Sequence, residues 1–89
     1  MAVTPKMFAE SALNWYKVMG RPVPYSAKPY LEAMLSIDDW HGMYFHDTAQ
    51  DVCMRALDNL SGWRGEDARE WKTAFKYSMN TLYGTKYRI

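Results

Sequence analysis

The chain has one cysteine, no glycine-rich phosphate loop and no excess of either charge, and each absence removes a class of function. Cys53 has no second cysteine to pair with, so an internal disulfide is excluded. With no Cys/His ladder either, a finger-type structural zinc is also excluded, and a reducing compartment is implied. No segment approaches the roughly 18 uninterrupted apolar residues of a membrane span, and Met1 to Met7 lack the apolar run of a signal peptide. The expectation is a cytoplasmic protein with no membrane partner. The glycines at 62 and 65 precede a helical pattern, yet no Gly-Lys-Ser/Thr follows to hold a nucleotide. A net charge of +1 gives no global attraction to nucleic acid or anionic lipid.

The charge that is present is unevenly spread. Between Ser26 and Leu60, Lys28 and Arg55 stand against Glu32, Asp38, Asp39, Asp47, Asp51 and Asp58. From Ser61 onward, Arg64, Arg69, Lys72, Lys76, Lys86 and Arg88 outnumber Glu66, Asp67 and Glu70. Aromatic residues make up 16% of the chain and methionine fills seven positions. That is more large apolar side chain than a core of 89 residues is expected to enclose, so part of it should face outward, where Trp, Tyr and Met mark contact surfaces.

Periodicity predicts a single all-α domain over 1–89, a compact bundle of about four helices. Thr4-Pro5 is a capped start, and Phe8, Ala12, Trp15 and Met19 recur at helical spacing until Gly20. Prolines 22 and 24 stiffen a connector. Ser26 is expected to cap a second helix with Tyr30, Leu31, Met34 and Leu35 inward. Residues 36–47 have no clean period and read as a loop or short turn, with no hairpin signal. Thr48 and Asp51 open a third helix whose face carries Ala49, Val52, Cys53, Ala56, Leu57 and Leu60. Glu66 opens the last, with Ala68, Trp71, Phe75, Met79 and Leu82 inward and Gly84 as the stop.

The candidate chemistry is thin. Asp38, Asp39, His41, His46 and Asp47 supply donors for a metal or an acid/base pair, but the two histidines are five apart across Gly42, which matches no helical ligand spacing. They are read as caps and packing groups. Cys53 sits on an apolar stripe, where a thiol is hidden rather than reactive. The reading is therefore no enzyme, no metal and no cofactor. Trp40, Tyr44, Phe45, Trp63 and Arg64 lie outside the helix stripes and are the candidate contacts for a protein partner, at least one of the two tryptophans being expected at the surface. A homodimer would cover the same residues. The alternative is nucleic-acid binding by Arg69, Lys72, Lys76, Lys86 and Arg88, with Glu66, Asp67 and Glu70 on the same helix counting against it.

The run Asn59-Leu60-Ser61-Gly62-Trp63-Arg64-Gly65-Glu66-Asp67-Ala68-Arg69, with the Trp, Tyr and Met content, resembles the short accessory proteins that bacteriophages make early in infection. The resemblance is one of style and rests on no aligned motif. It implies a small inhibitor that disables a host enzyme or a defence complex by stoichiometric binding, as anti-CRISPR proteins do.

Overall fold

Thr4 begins the first helix by accepting the Met7 amide on its Oγ1 at 3.2 Å, and Pro5 fits the first turn, where no amide donor is needed. The computed structural model describes residues 3–89. Helix α1 spans Pro5–Val18 and buries Phe8, Ala9, Ala12 and Tyr16 on one face. Gly20, at φ 64°, takes the left-handed conformation that ends it. Met19 does not join the inward stripe; it is the C-cap residue and stays exposed.

Helix α2, Lys28–Met34, starts one residue later than the sequence suggests. Its N-cap is Ala27, with no side-chain cap, because the Pro24 carbonyl accepts both the Ala27 and Lys28 amides at 3.0 Å and turns the chain in before Ser26 can act. Leu31, Ala33 and Met34 are buried, while Tyr30 and Leu35 are only half-buried. Beyond α2 the Ile37 carbonyl accepts the Lys6 amide at 3.0 Å, tying the end of α2 to the start of α1.

The stretch read as irregular holds a small hairpin. Strands β1, Met43–Tyr44, and β2, Asp47–Thr48, pair antiparallel, with Met43 opposite Thr48. The molecule is therefore largely helical rather than all-α. Two residues per strand are too few to show the alternation by which a strand is read. Thr48 then caps α3, Ala49–Asp58, by accepting the Asp51 amide at 3.1 Å, and Val52, Cys53, Ala56 and Leu57 turn inward with Leu60 beyond the helix. Helix α4, Glu66–Tyr83, closes on Gly84 in the left-handed conformation. Its inward row steps Trp71, Phe75, Met79, Tyr83, so Leu82 falls outside and is exposed.

The buried residues form one cluster with an aromatic spine. Trp63 packs on Trp71 at 5.3 Å between ring centroids, Trp71 on Phe75 at 4.7 Å, and Phe75 on Phe8 at 5.0 Å, while Trp40 meets Phe75 at 6.1 Å. The indole of Trp40 donates to the Val3 carbonyl at 2.7 Å and that of Trp71 to the Phe8 carbonyl at 2.9 Å. These bonds satisfy the polar edge that a buried tryptophan brings with it.

Candidate protein-binding groove

Helices α1 and α4 leave an open groove of about 660 Å³ between them. From α1 it receives Met7, Ser11, Asn14 and Val18, whose spacing of four, three and four residues places them on one side of the helix. From α4 come Asp67, Glu70 and Ala74, and Trp15 lies across the floor. The Trp15 indole donates to Asp67 Oδ2 at 2.9 Å and so joins the two walls, while its ring rests on Trp63 at 5.3 Å. The Arg21 guanidinium sits over the Trp15 ring, 5.8 Å from its centroid, a cation–π distance. Val18 is 73% exposed and Met7 and Val3 nearly half, so the wall is apolar and open to solvent. Among the described residues its charged lining consists of two carboxylates, Asp67 and Glu70.

Trp40 and Trp63, of which at least one is expected at the surface, are 6% and 3% exposed and both belong to the core. The loops that carry them fold down onto the α1–α4 seam, and burial of two large rings decides their placement over their polar and glycine neighbours. Trp63 is nonetheless part of the groove, as floor rather than as anchor. Tyr44 is half-buried, and Phe45, 82% exposed at the hairpin tip, stacks edge-on against it at 4.7 Å. Phe45 has φ 55°, a conformation that a bulky side chain adopts only under constraint, here the two-residue closure of the hairpin. No family model, no curated protein and no solved structure matches this chain.

Arg64 is exposed but lines a second concavity, of about 410 Å³, on the other flank of α4, together with Arg69, Lys72 and Lys76. Helical geometry thus separates charges that the sequence interleaves: Asp67 and Glu70 face the groove while the cations face away from it. Lys72 is partly sunk, its Nζ donating to the Trp63 carbonyl at 2.7 Å. Burial lowers its pKa, and the nearby Lys76 and Arg64 push it the same way.

Among the described residues the Trp63 indole Nε1 is buried without a hydrogen-bond partner, whereas the groups around His41 and Cys53 have structural partners. Among the described residues no three His, Cys, Asp or Glu side chains come together as a metal set. The His41 amide donates to Asp39 Oδ1 at 2.9 Å, and the His41 ring meets the edge of Tyr83 at 5.9 Å. The Tyr83 hydroxyl donates to the Trp40 carbonyl at 2.6 Å. Cys53 is fully buried, and burial pushes its thiol up to about 12, against a hydrogen bond with Tyr83 that lowers it. Burial, followed by the Cys53 charge and hydrogen bond, pushes the Tyr83 phenol up as well.

Both groups are acids whose folded pKa exceeds the unfolded value, so the folded state holds their protons more tightly. Their contribution is complete below the unfolded pKa of Cys53, near 9, and is lost as pH rises from there toward 12. Urea melts are expected to show stability declining through this window, with the onset moved upward in Cys53→Ala. In native protein at pH 8 the thiol should alkylate at least roughly a hundredfold more slowly than in the unfolded chain.

Proposed function

We propose that this chain is a small non-enzymatic binding protein that takes an amphipathic helix of a partner protein into the groove between α1 and α4. The observation that carries the reading is the groove itself: two helices present a solvent-open apolar wall with a polar edge of one sign. The occupant is a helical segment with apolar side chains at i, i+3 or i+4 and i+7 and a lysine or arginine directed at Asp67 and Glu70. The wall from Met7 to Val18 is about 16 Å long at 1.5 Å per residue, which matches three turns of such a helix. A second copy is a poorer fit. Two grooves laid face to face would offer no convex ridge to fill either one, and would bring carboxylates together.

The resemblance to phage accessory proteins gives this surface a use. By occupying a helix that a host enzyme or defence complex needs, the protein acts as a stoichiometric inhibitor in the reducing cytoplasm. No helix among the described residues is long and apolar enough to cross a membrane. The reading is tested by placing a photo-crosslinking amino acid at position 7, 18 or 45 in separate proteins and irradiating them in native cytosol. Positions 7 and 18 are expected to capture the same protein. Capture from position 45 alone would move the interface to the hairpin tip.

A further inference from the structure

The last six residues do not trail away from the domain. Asn80 on α4 accepts the Tyr87 amide on Oδ1 at 2.9 Å and donates from Nδ2 to the Tyr87 carbonyl at 2.9 Å, while the Thr85 hydroxyl donates to the same Oδ1 at 2.6 Å. This clasp turns the chain back along the helix, and Ile89 reaches the concavity lined by Arg64, Arg69, Lys72 and Lys76. Thr85 and Tyr87 are half-buried while Lys86 and Arg88 are exposed, the alternation of an extended segment laid on a surface. The two tail cations therefore stand outward beside a helix flank that already carries three.

We propose that Arg64, Arg69, Lys72, Lys76, Lys86 and Arg88 form one surface that binds the phosphate backbone of nucleic acid, independently of the α1–α4 groove. Among the described residues no acidic side chain lines the concavity, and Asp67 and Glu70 line the groove on the opposite flank of α4. Two of the three acidic residues that share the helix are thereby set apart from the cations, and Glu66, at the first position of the helix, lines neither concavity. The cations extend along about 10 Å of α4 from Arg69 to Lys76, and the tail widens that surface. A charge distribution of that extent suits a repeating polyanion rather than a single phosphate. Trp63, the only aromatic residue among the described residues lining the concavity, is buried, so contact is with phosphates and not with stacked bases. Binding is accordingly indifferent to sequence. Asn80 is a positioning residue: it touches no ligand and sets where Lys86 and Arg88 stand.

The test is fluorescence anisotropy with a labelled mixed-sequence duplex of about 20 base pairs, titrated with the full chain at several salt concentrations. With six phosphate contacts, affinity should fall about a thousandfold between 50 and 200 mM salt, a log–log slope near −5. Asn80→Ala should make that slope shallower by about two, the share of Lys86 and Arg88, and the double variant Lys86→Ala/Arg88→Ala should match it. Should Asn80→Ala fail to fold, the double variant carries the same measurement at two exposed positions. Met7→Glu/Val18→Glu, on the other flank, should bind the duplex as the parent does. Absence of binding at about 20 mM salt, or a slope indifferent to the cation variants, would overturn the proposal. Competition by tripolyphosphate as effective per phosphate as by the duplex would overturn it too, in favour of a small-anion pocket.

Discussion

Phe75→Ala is expected to cost about 3–5 kcal/mol of folding stability, because it empties the centre of the aromatic spine. The ring has no exposed surface and lies 4.7 to 6.1 Å from Trp71, Phe8 and Trp40, which belong to three different segments of the chain. Such large rings cannot close over the void without leaving the rotamers that their indole hydrogen bonds to the Phe8 and Val3 carbonyls require. A domain of this size has about 5–15 kcal/mol in total, so the variant would keep a small remainder. Its melting temperature should fall by roughly 15–30 °C. Tyr77→Ala, at an exposed position of the same helix, should stay within about 0.5 kcal/mol of the parent. Chemical and thermal melts of the two variants make the comparison. A loss below about 1 kcal/mol in Phe75→Ala would mean that the spine is not the core.

The same spine explains where sequence reading works and where it stops. Helix ends are local devices, and the caps at Thr4 and Thr48 and the glycine stops at 20 and 84 are legible because each acts within four residues of itself. The face of α3 follows from period alone, and so does that of α1 at Phe8 and Ala12, although not at Met19, where the helix has already ended. Trp40 and Trp63 could not be placed that way, since a residue between helices has no period, and what buries it is a loop closing over a distant seam. The hairpin left no alternation in two-residue strands, and Ser26 lost its role as cap to a carbonyl two residues earlier. The groove did have a signal: Met7 and Val18 lie eleven residues apart on the face of α1 opposite the core, with Val3 in line. Read as a second apolar stripe, interrupted by Ser11 and Asn14, they mark a surface that the fold leaves uncovered. The separation of Asp67 and Glu70 from Arg69, Lys72 and Lys76 was likewise written in spacings of three and four residues. The Asn80 clasp was not, because a side chain that binds the backbone seven residues on imposes no pattern on the residues between.

The expected surplus of outward apolar groups is present, carried by Phe45, one of the candidate contacts, and by Tyr25, Tyr77, Met43 and Val18 in place of the tryptophans. Alanine variants of Trp40 or Trp63 would disturb the fold and so report on stability, whereas binding has to be probed at the groove wall.

The measurement that bears most directly on the account is the affinity of Met7→Glu/Val18→Glu for the protein captured by crosslinking at those positions. Both residues are exposed, so helicity and melting temperature should hold within about 0.5 kcal/mol. In the complex, each glutamate would be desolvated against an apolar helix, and it would remove a contact that contributes about 2 kcal/mol or more at the centre of an interface. The double variant should bind at least about a hundredfold more weakly, since each 1.4 kcal/mol is a factor of ten, while Phe45→Ala should bind as the parent does. Unchanged affinity in the double variant, with loss in Phe45→Ala, would contradict the groove reading and assign the interface to the hairpin.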